Sequence, residues 1–355
     1  MSSTVKQITN AAGFPKPAEL IEIIGASALE AQDRAVLNIL YQHAHDSGHI
    51  TKPGAKWEIP AVTLRTSRHE SNDRLGDTLI RLMQVIVSVL YTDPATGDAR
   101  VLSTHLFRFF DRSAKGVGTV RFGIPEELGP VLAASGRWGR IKAETVCAMT
   151  SKYAITLYEM VQLRAGMDNC VETFPLDRFR DLMGVPEGSY ERGNDFARFV
   201  LDAAAVEVNG LSDFGVQLQA VRRHSKAPIT AVTMAWWRKE AGAFRATLTE
   251  LRQPKLGRKA RLQAAQSAAA PAGATSGKRG LRGVAPLAKP RRPASARSAQ
   301  LDLEDAIKGA SAQLPPLRKT PRPASNGGRP VPGDAADAAL AELARQRAVM
   351  VPDDE

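Results

Sequence analysis

"SYERGNDFARFVLDAAAVEVNGLSD" runs from Ser189 to Asp213. Its opening residues include Arg192, Asn194 and Arg198, and the remainder of the stretch is almost uniformly apolar or small. A helix beginning near Asn194 places Phe196, Phe199, Val200, Ala203 and Val206 on one side, the side of a core. Asn194, Arg198 and Asp202 then fall on another side, four residues apart, with Arg192 just before the first turn. A helix that plugs a core with its body and reads a ligand with its first turns has this composition. In helix-turn-helix proteins the second helix enters the major groove and its N-terminal residues meet base edges. Arginine reads guanine O6 and N7 bidentately, and the free N–H groups of a helix start suit phosphate. A plainer arrangement fits the same residues: Arg198 and Asp202 as a surface ion pair, and Asn194 as an N-cap.

The neighbouring segments extend the pattern. Before this helix come "GRIKAETVCAMTSKYAITLYEMVQLRAG", which reads as one long helix, and "FPLDRFRDLMGV", a short one. After it, "FGVQLQAVRR" and "PITAVTMAWWRK" read as two strands joined by "HSKA". The first half repeats the order without obvious identity. "SALEAQDRAVLNILYQHAHDSG" is a helix that Ser27 and Glu30 suit as a capping box. "SNDRLGDTLIRLMQVIVSVLY" carries Leu75, Leu79, Leu82, Met83 and Ile86 at helical spacing. "ARVLSTHLFRFFDRSA" and "VGTVRFGI" then read as a hairpin with a glycine-rich tip. The expected fold is α+β, with two winged-helix (helix-turn-helix) domains in tandem. The expected boundaries are a lead-in over 1–26, a first winged helix over 27–130 and a second, the main DNA reader, over 140–245.

The chain has 355 residues, with 48 Lys and Arg against 37 Asp and Glu, a net charge of +11. Residues 1–252 are close to balanced and 253–332 carry the bulk of the excess. From about Gln253 onward Ala, Pro, Arg, Gly and Ser dominate, and the last aromatic is Phe244. Such a composition buries too little apolar surface to offset its ordering entropy. Residues 254–355 are therefore expected to be a disordered basic tail. Its Arg258, Lys259, Arg261, Lys278, Arg279, Arg291 and Arg292 would add salt-sensitive, sequence-blind attraction to DNA. Cys147 and Cys170 form no C-x-x-C pair or metal-ligand cluster. No signal peptide is expected from the opening residues, and no run is long enough to span a membrane, so a cytoplasmic location is expected.

The block from about Ser151 to Lys239 resembles the second winged helix of the Rep_3-type plasmid replication initiators. The residues that carry the likeness are "SKYAITLYEM", then Phe179, Arg180, Leu182, Met183, Gly184, Val185 and Tyr190, then Asp195, Phe196, Val200, Ala203, Glu207, Val208 and Asn209. The resemblance covers roughly a quarter of the chain; the first unit is similar to the family's first winged helix more loosely. It implies binding of directly repeated origin sites (iterons) on double-stranded DNA and help in opening the origin. It also implies a monomer–dimer equilibrium, repression of the chain's own gene as a dimer, and contact with a host initiator and the replicative helicase. It places Arg192 and Arg198 at basic positions that contact DNA. Ala197 and Phe199 depart from the more basic pattern of many members. Arg74 and Arg81 on the corresponding helix of the first unit suit phosphate contact or a solvated face equally. The wing residues Arg112 and Lys115, then Arg222, Arg223 and Lys226, are candidate phosphate contacts, which set register and carry no sequence information.

No cofactor or metal is expected, and no catalytic residue. A rolling-circle nuclease would use a His-hydrophobe-His pair on a strand with a tyrosine nucleophile. His43 and His45 sit instead at the end of an apolar helix, where i and i+2 point apart and part exposure beside the C-terminal dipole is expected. There is no G-x-x-x-x-G-K-[ST] loop for ATP. A winged-helix transcription regulator without a replication role stays open, because fold alone does not fix function.

Overall fold

A computed structural model describes residues 3–65, 72–93, 95–113, 118–224 and 227–269. Its elements are the mixed helices and sheets of two winged helices in tandem. The N-terminal residues do not form a separate lead-in. Strand β1 (Phe14–Pro17) is buried along its whole length and pairs antiparallel with β7 (Trp138–Ile141), far along the chain. Thr4 donates its backbone N–H to the Ser135 carbonyl at 2.8 Å and is fully buried. The short helix α1 (Ala18–Ile21) succeeds β1 directly.

The first winged helix opens with α2 (Ala31–Asp46). Its cap lies three residues beyond the expected one: Glu30 and Asp33, not Ser27 and Glu30, form the box, and the Glu30 N–H donates to Asp33 Oδ2 at 2.8 Å. Ser27 lies instead in a 3-10 turn over Ala26–Ala28. Strand β2 (Trp57–Pro60) leads to helix α3 (Asn72–Gln84). The helix expected through Tyr91 ends there, and β3 (Ile86–Thr92) takes over. The run Val85, Ile86, Val87, Val89 is β-branched and stiff at χ1, which favours a strand. Strand β4 (Ala99–His105) pairs with β3 from Ile86↔His105 to Thr92↔Ala99. The long strand expected after Ala99 is thus divided. Its second part, β5 (Phe109–Arg112), pairs with β6 (Thr119–Gly123) to make the wing, and β2 closes a three-stranded sheet in the order β2-β6-β5. Phe122 is the hub of this unit's core, fully buried, with Trp57 and Phe107 ring centroids at 5.5 and 5.8 Å. Helix α4 (Leu128–Ala134) then leads to β7.

The second winged helix begins with two helices where the sequence suggests one: α5 (Ala143–Ala148) and α6 (Lys152–Arg164). The break at Thr150 and Ser151 is held by Glu207, whose carboxylate accepts the Ser151 N–H at 3.1 Å, the Thr150 N–H at 2.8 Å and the Thr150 hydroxyl. Strand β8 (Val171–Pro175) and helix α7 (Leu176–Met183) come after α6. The helix expected to read DNA is next, as α8 (Gly193–Phe196), one π-helical turn over Ala197–Asp202, and α9 (Ala203–Leu211). Strands β9 (Phe214–Val221) and β10 (Ala231–Arg238) form the wing, and the sheet order is β8-β10-β9. Helix α10 (Ala241–Arg252) succeeds the wing.

The two winged units meet through α2 and α6. Lys16 of β1, Asn38 of α2 and Glu159 of α6 form a polar cluster with almost no exposure. The Lys16 ammonium donates to Glu159 Oε1 at 2.9 Å and to Asn38 Oδ1 at 3.2 Å, and Asn38 Nδ2 donates to Glu159 at 2.7 Å. Burial pushes the Lys16 ammonium below its usual range, and Glu159 opposes that shift. Lys152 of α6 donates to the Ser27 carbonyl at 2.8 Å.

Residues expected to open the disordered tail are ordered. Helix α11 (Arg258–Ala269) forms there, from a run rich in Ala, Gln and Arg with high helix propensity. Arg258 is 5 % exposed, so it is not a free tail cation. Its guanidinium donates to the carbonyls of Ala148, Glu250 and Gln253. Residues 270–355, with Lys278, Arg279, Arg291 and Arg292, lie outside the described residues. Among the described residues no helix is long and apolar enough to cross a membrane.

Candidate nucleic-acid interface

The start of the reading helix is held from three sides. Gly184 ends α7 in the left-handed conformation, at φ 64°, and Tyr190 adopts it again at φ 54° just before α8. Between them Arg180 holds the turn: its guanidinium donates to the Ser189 carbonyl at 2.5 Å and to the Tyr190 carbonyl at 3.4 Å, and lies 5.2 Å over the Phe196 ring. The wing approaches from the other side. A Cβ on Gly193 would stand 2.9 Å from Arg222 Nη2, the far end of a flexible side chain, and 3.2 Å from the Ile229 side chain, so the wing lies close against this position. At the C-terminal end, Asn209 clamps β9 by accepting the Val216 N–H at 2.7 Å and donating to the Val216 carbonyl at 3.0 Å.

This frame presents Arg192, Asn194 and Arg198, all three exposed. Arg222 reaches from the wing and donates to Asn194 Oδ1 at 3.3 Å, which joins the wing to the helix. Arg223 is exposed at the wing beside it; Lys226 lies outside the described residues. Arg198 makes no ion pair with Asp202 and instead lies 5.1 Å over the neighbouring Phe199 ring. Burial raises the Asp202 carboxyl above its usual range. The acidic Glu191 is also exposed on this side.

The core side of the helix differs from the expected one. Phe196 and Val200 are buried as expected, but Phe199 is 46 % exposed while Leu201 is 2 % exposed. Ala203 and Val206 are half-buried, and Ala204, Ala205 and Val208 take the core positions. The buried positions Phe196, Val200, Leu201, Ala204 and Val208 define a core face turned toward Leu201 and away from Phe199, and the helix is π-helical over Ala197–Asp202, where the two faces part.

In the first winged helix the expected residues separate. Arg74 is exposed at the start of α3. Arg81 is tied to α2 by a bidentate pair with Asp33, at 2.8 and 2.7 Å, and Asp33 is fully buried. That hydrogen bonding raises the Arg81 guanidinium. Arg112, at the end of β5, folds back so that its guanidinium lies against Gly76 of α3. Lys115 lies outside the described residues. The structure thus gathers Arg192, Asn194, Arg198, Arg222 and Arg223 at the start of α8 and its wing, and among the described candidates of the first unit it commits Arg81 to Asp33.

His43 and His45 diverge, toward the rings of Phe122 and Tyr41 respectively. His45 is buried, not part-exposed, because Tyr41 stacks on it at 6.2 Å. Among the described residues no group of three or more His, Cys, Asp or Glu is placed to hold a metal ion.

Two family models match the chain. "Initiator Replication protein, WH1" covers residues 16–162, and "Initiator Rep protein, WH2" covers residues 175–236. The first begins inside β1 and runs to α6, so it takes in the N-terminal strand and its partner β7. The second spans the reading helix and its wing. No curated protein matches the chain.

Proposed function

From the premise that this chain belongs to the Rep_3 family of plasmid replication initiators, we propose that it binds directly repeated sites on double-stranded DNA at a plasmid origin and helps to open them. The observation that carries this reading is the exposed set of Arg192, Asn194 and Arg198 at the start of a helix flanked by the basic wing residues Arg222 and Arg223. Helix start and wing together suit a major groove and its adjoining phosphates. Arg192 and Arg198 read bases; Arg222 and Arg223 set register. We further infer that the protein acts in the cytoplasm, represses its own gene as a dimer, and engages a host initiator and the replicative helicase. It is a binder and opener of DNA rather than a catalyst.

The test is a footprint of the full chain on DNA flanking its own gene, at two salt concentrations. Protection of several evenly phased direct repeats is expected. Protection of one inverted repeat alone would leave a transcription regulator. Arg192→Ala and Arg198→Ala are each expected to weaken specific binding by about 1–3 kcal/mol and to relax one base position. Normal specific binding by both variants would overturn their assignment.

A further inference from the structure

The helix carries a side chain to the surface, within its π turn, that nothing in the proposed DNA contact yet uses. Phe199 stands next to Arg198, 46 % exposed, on the flank of the row formed by Asn194, Arg198 and Asp202. It is held in place without being buried. The Tyr190 ring packs on it with centroids 6.0 Å apart, and Tyr153, on α6, braces Tyr190 edge-on at 6.3 Å. The Arg198 guanidinium lies over the ring at 5.1 Å. An exposed ring braced by one aromatic and an arginine loses little side-chain freedom when it meets a ligand.

Resting on the reading of this helix as a reader of DNA, we propose that Phe199 is a specificity residue that packs against the 5-methyl group of a thymine. That methyl is the apolar feature of the major groove, and phenylalanine is a side chain that contacts it. The neighbour fixes which thymine. With its guanidinium stacked on the Phe199 ring, Arg198 keeps the edge of its fork for a base, so the thymine lies one or two base pairs from the one Arg198 reads. The surroundings favour this ligand over an apolar protein surface, since the Arg198 guanidinium lies 5.1 Å over the ring and Arg222 is joined to Asn194 at the start of the same helix.

The experiment uses the full chain and the site defined by footprinting, with each thymine replaced in turn by deoxyuridine, which lacks only the methyl group. One substitution, beside the base read by Arg198, is expected to weaken binding about fourfold, the worth of one buried methyl. Phe199→Ala is expected to bind the thymine and deoxyuridine sites equally, whereas Arg198→Ala keeps the preference for thymine. Because the ring is half-exposed, Phe199→Ala is expected to fold cooperatively like the wild type, with a melting temperature only slightly lower. A site with no methyl-sensitive thymine overturns the proposal while leaving the helix as reader. So does a thymine preference that survives in Phe199→Ala, including the case in which the variant instead loses binding to a protein partner. Absence of any site-specific binding by the wild type removes both readings.

Discussion

Arg81 and Asp33 show how a basic residue on a second helix can serve the fold. Asp33 is fully buried and commits its carboxylate to the Glu30 N–H and to the Arg81 fork. Arg81→Ala leaves that charge with half its partners. It is expected to lower stability by about 1.5–3 kcal/mol, the range for hydrogen bonds to charged groups, with little effect on the salt dependence of DNA binding; urea denaturation and a salt titration of the same variant check both. Lys239 offers a pH test. Its ammonium donates to the carbonyls of Asn209 and Ser212 and to the Thr247 hydroxyl, and burial, outweighing Asp213, pushes its pKa down to about 8 from 10.5. Below pH 8 both folded and unfolded chains hold the proton, and the folded chain bears the burial cost. Between about 8 and 10.5 only the unfolded chain holds it, so stability rises with pH across that window. The stability difference between wild type and Lys239→Met is therefore expected to move in favour of the wild type as pH rises through that window; a constant difference would count against it. At this scale the sequence exposes Asn194 and Arg198 directly, since polar residues at four-residue spacing mark a face, with Arg192 just before the first turn. It hides the role of Arg81, because the charge that claims it lies on another helix.

Elements are legible where their signals are local and obscure where distant residues decide. The alternation of Phe214–Val221 and Ala231–Arg238 announces the second wing. The end of α3 is harder to see, because Leu82, Met83 and Ile86 continue a helical spacing across a boundary that β-branching sets. The break between α5 and α6 is invisible locally, since the carboxylate that holds it comes from Glu207 on α9. Glu207→Ala leaves the Thr150 and Ser151 N–H groups without their acceptor and is expected to cost about 1–3 kcal/mol. It should also slacken the start of α6, read as faster amide exchange at Ser151 and Thr150 than elsewhere in the second unit. Uniform exchange across α6 in this variant would argue that packing alone sets the break. The π turn belongs to the same class: Phe199 and Leu201 are both apolar, and only the packing around them decides which one faces out.

For the whole molecule, two winged helices in tandem can be read from the order of elements, but their junction cannot. Lys16, Asn38 and Glu159 look like unrelated polar residues until β1, α2 and α6 bring them together. Lys16→Met strands the Glu159 carboxylate in the junction and is expected to cost about 3–5 kcal/mol. Combining it with Glu159→Leu is expected to recover much of that loss, because the charge is removed along with its partner. Unfolding midpoints of the two variants decide it, and an unrecovered double variant would show that the cluster contributes more than the cancellation of a buried charge.

The pairing of Phe14–Pro17 with Trp138–Ile141 also sets a timetable for biosynthesis. A ribosome working at about 5–20 residues per second delivers the second strand roughly 6–25 s after the first. Throughout that interval the nascent chain carries a strand with no companion, and the first winged helix is finished in sequence before it can be closed in space. The early chain is therefore the stage at which a chaperone has most to hold, and the emergence of Ile141 ends it.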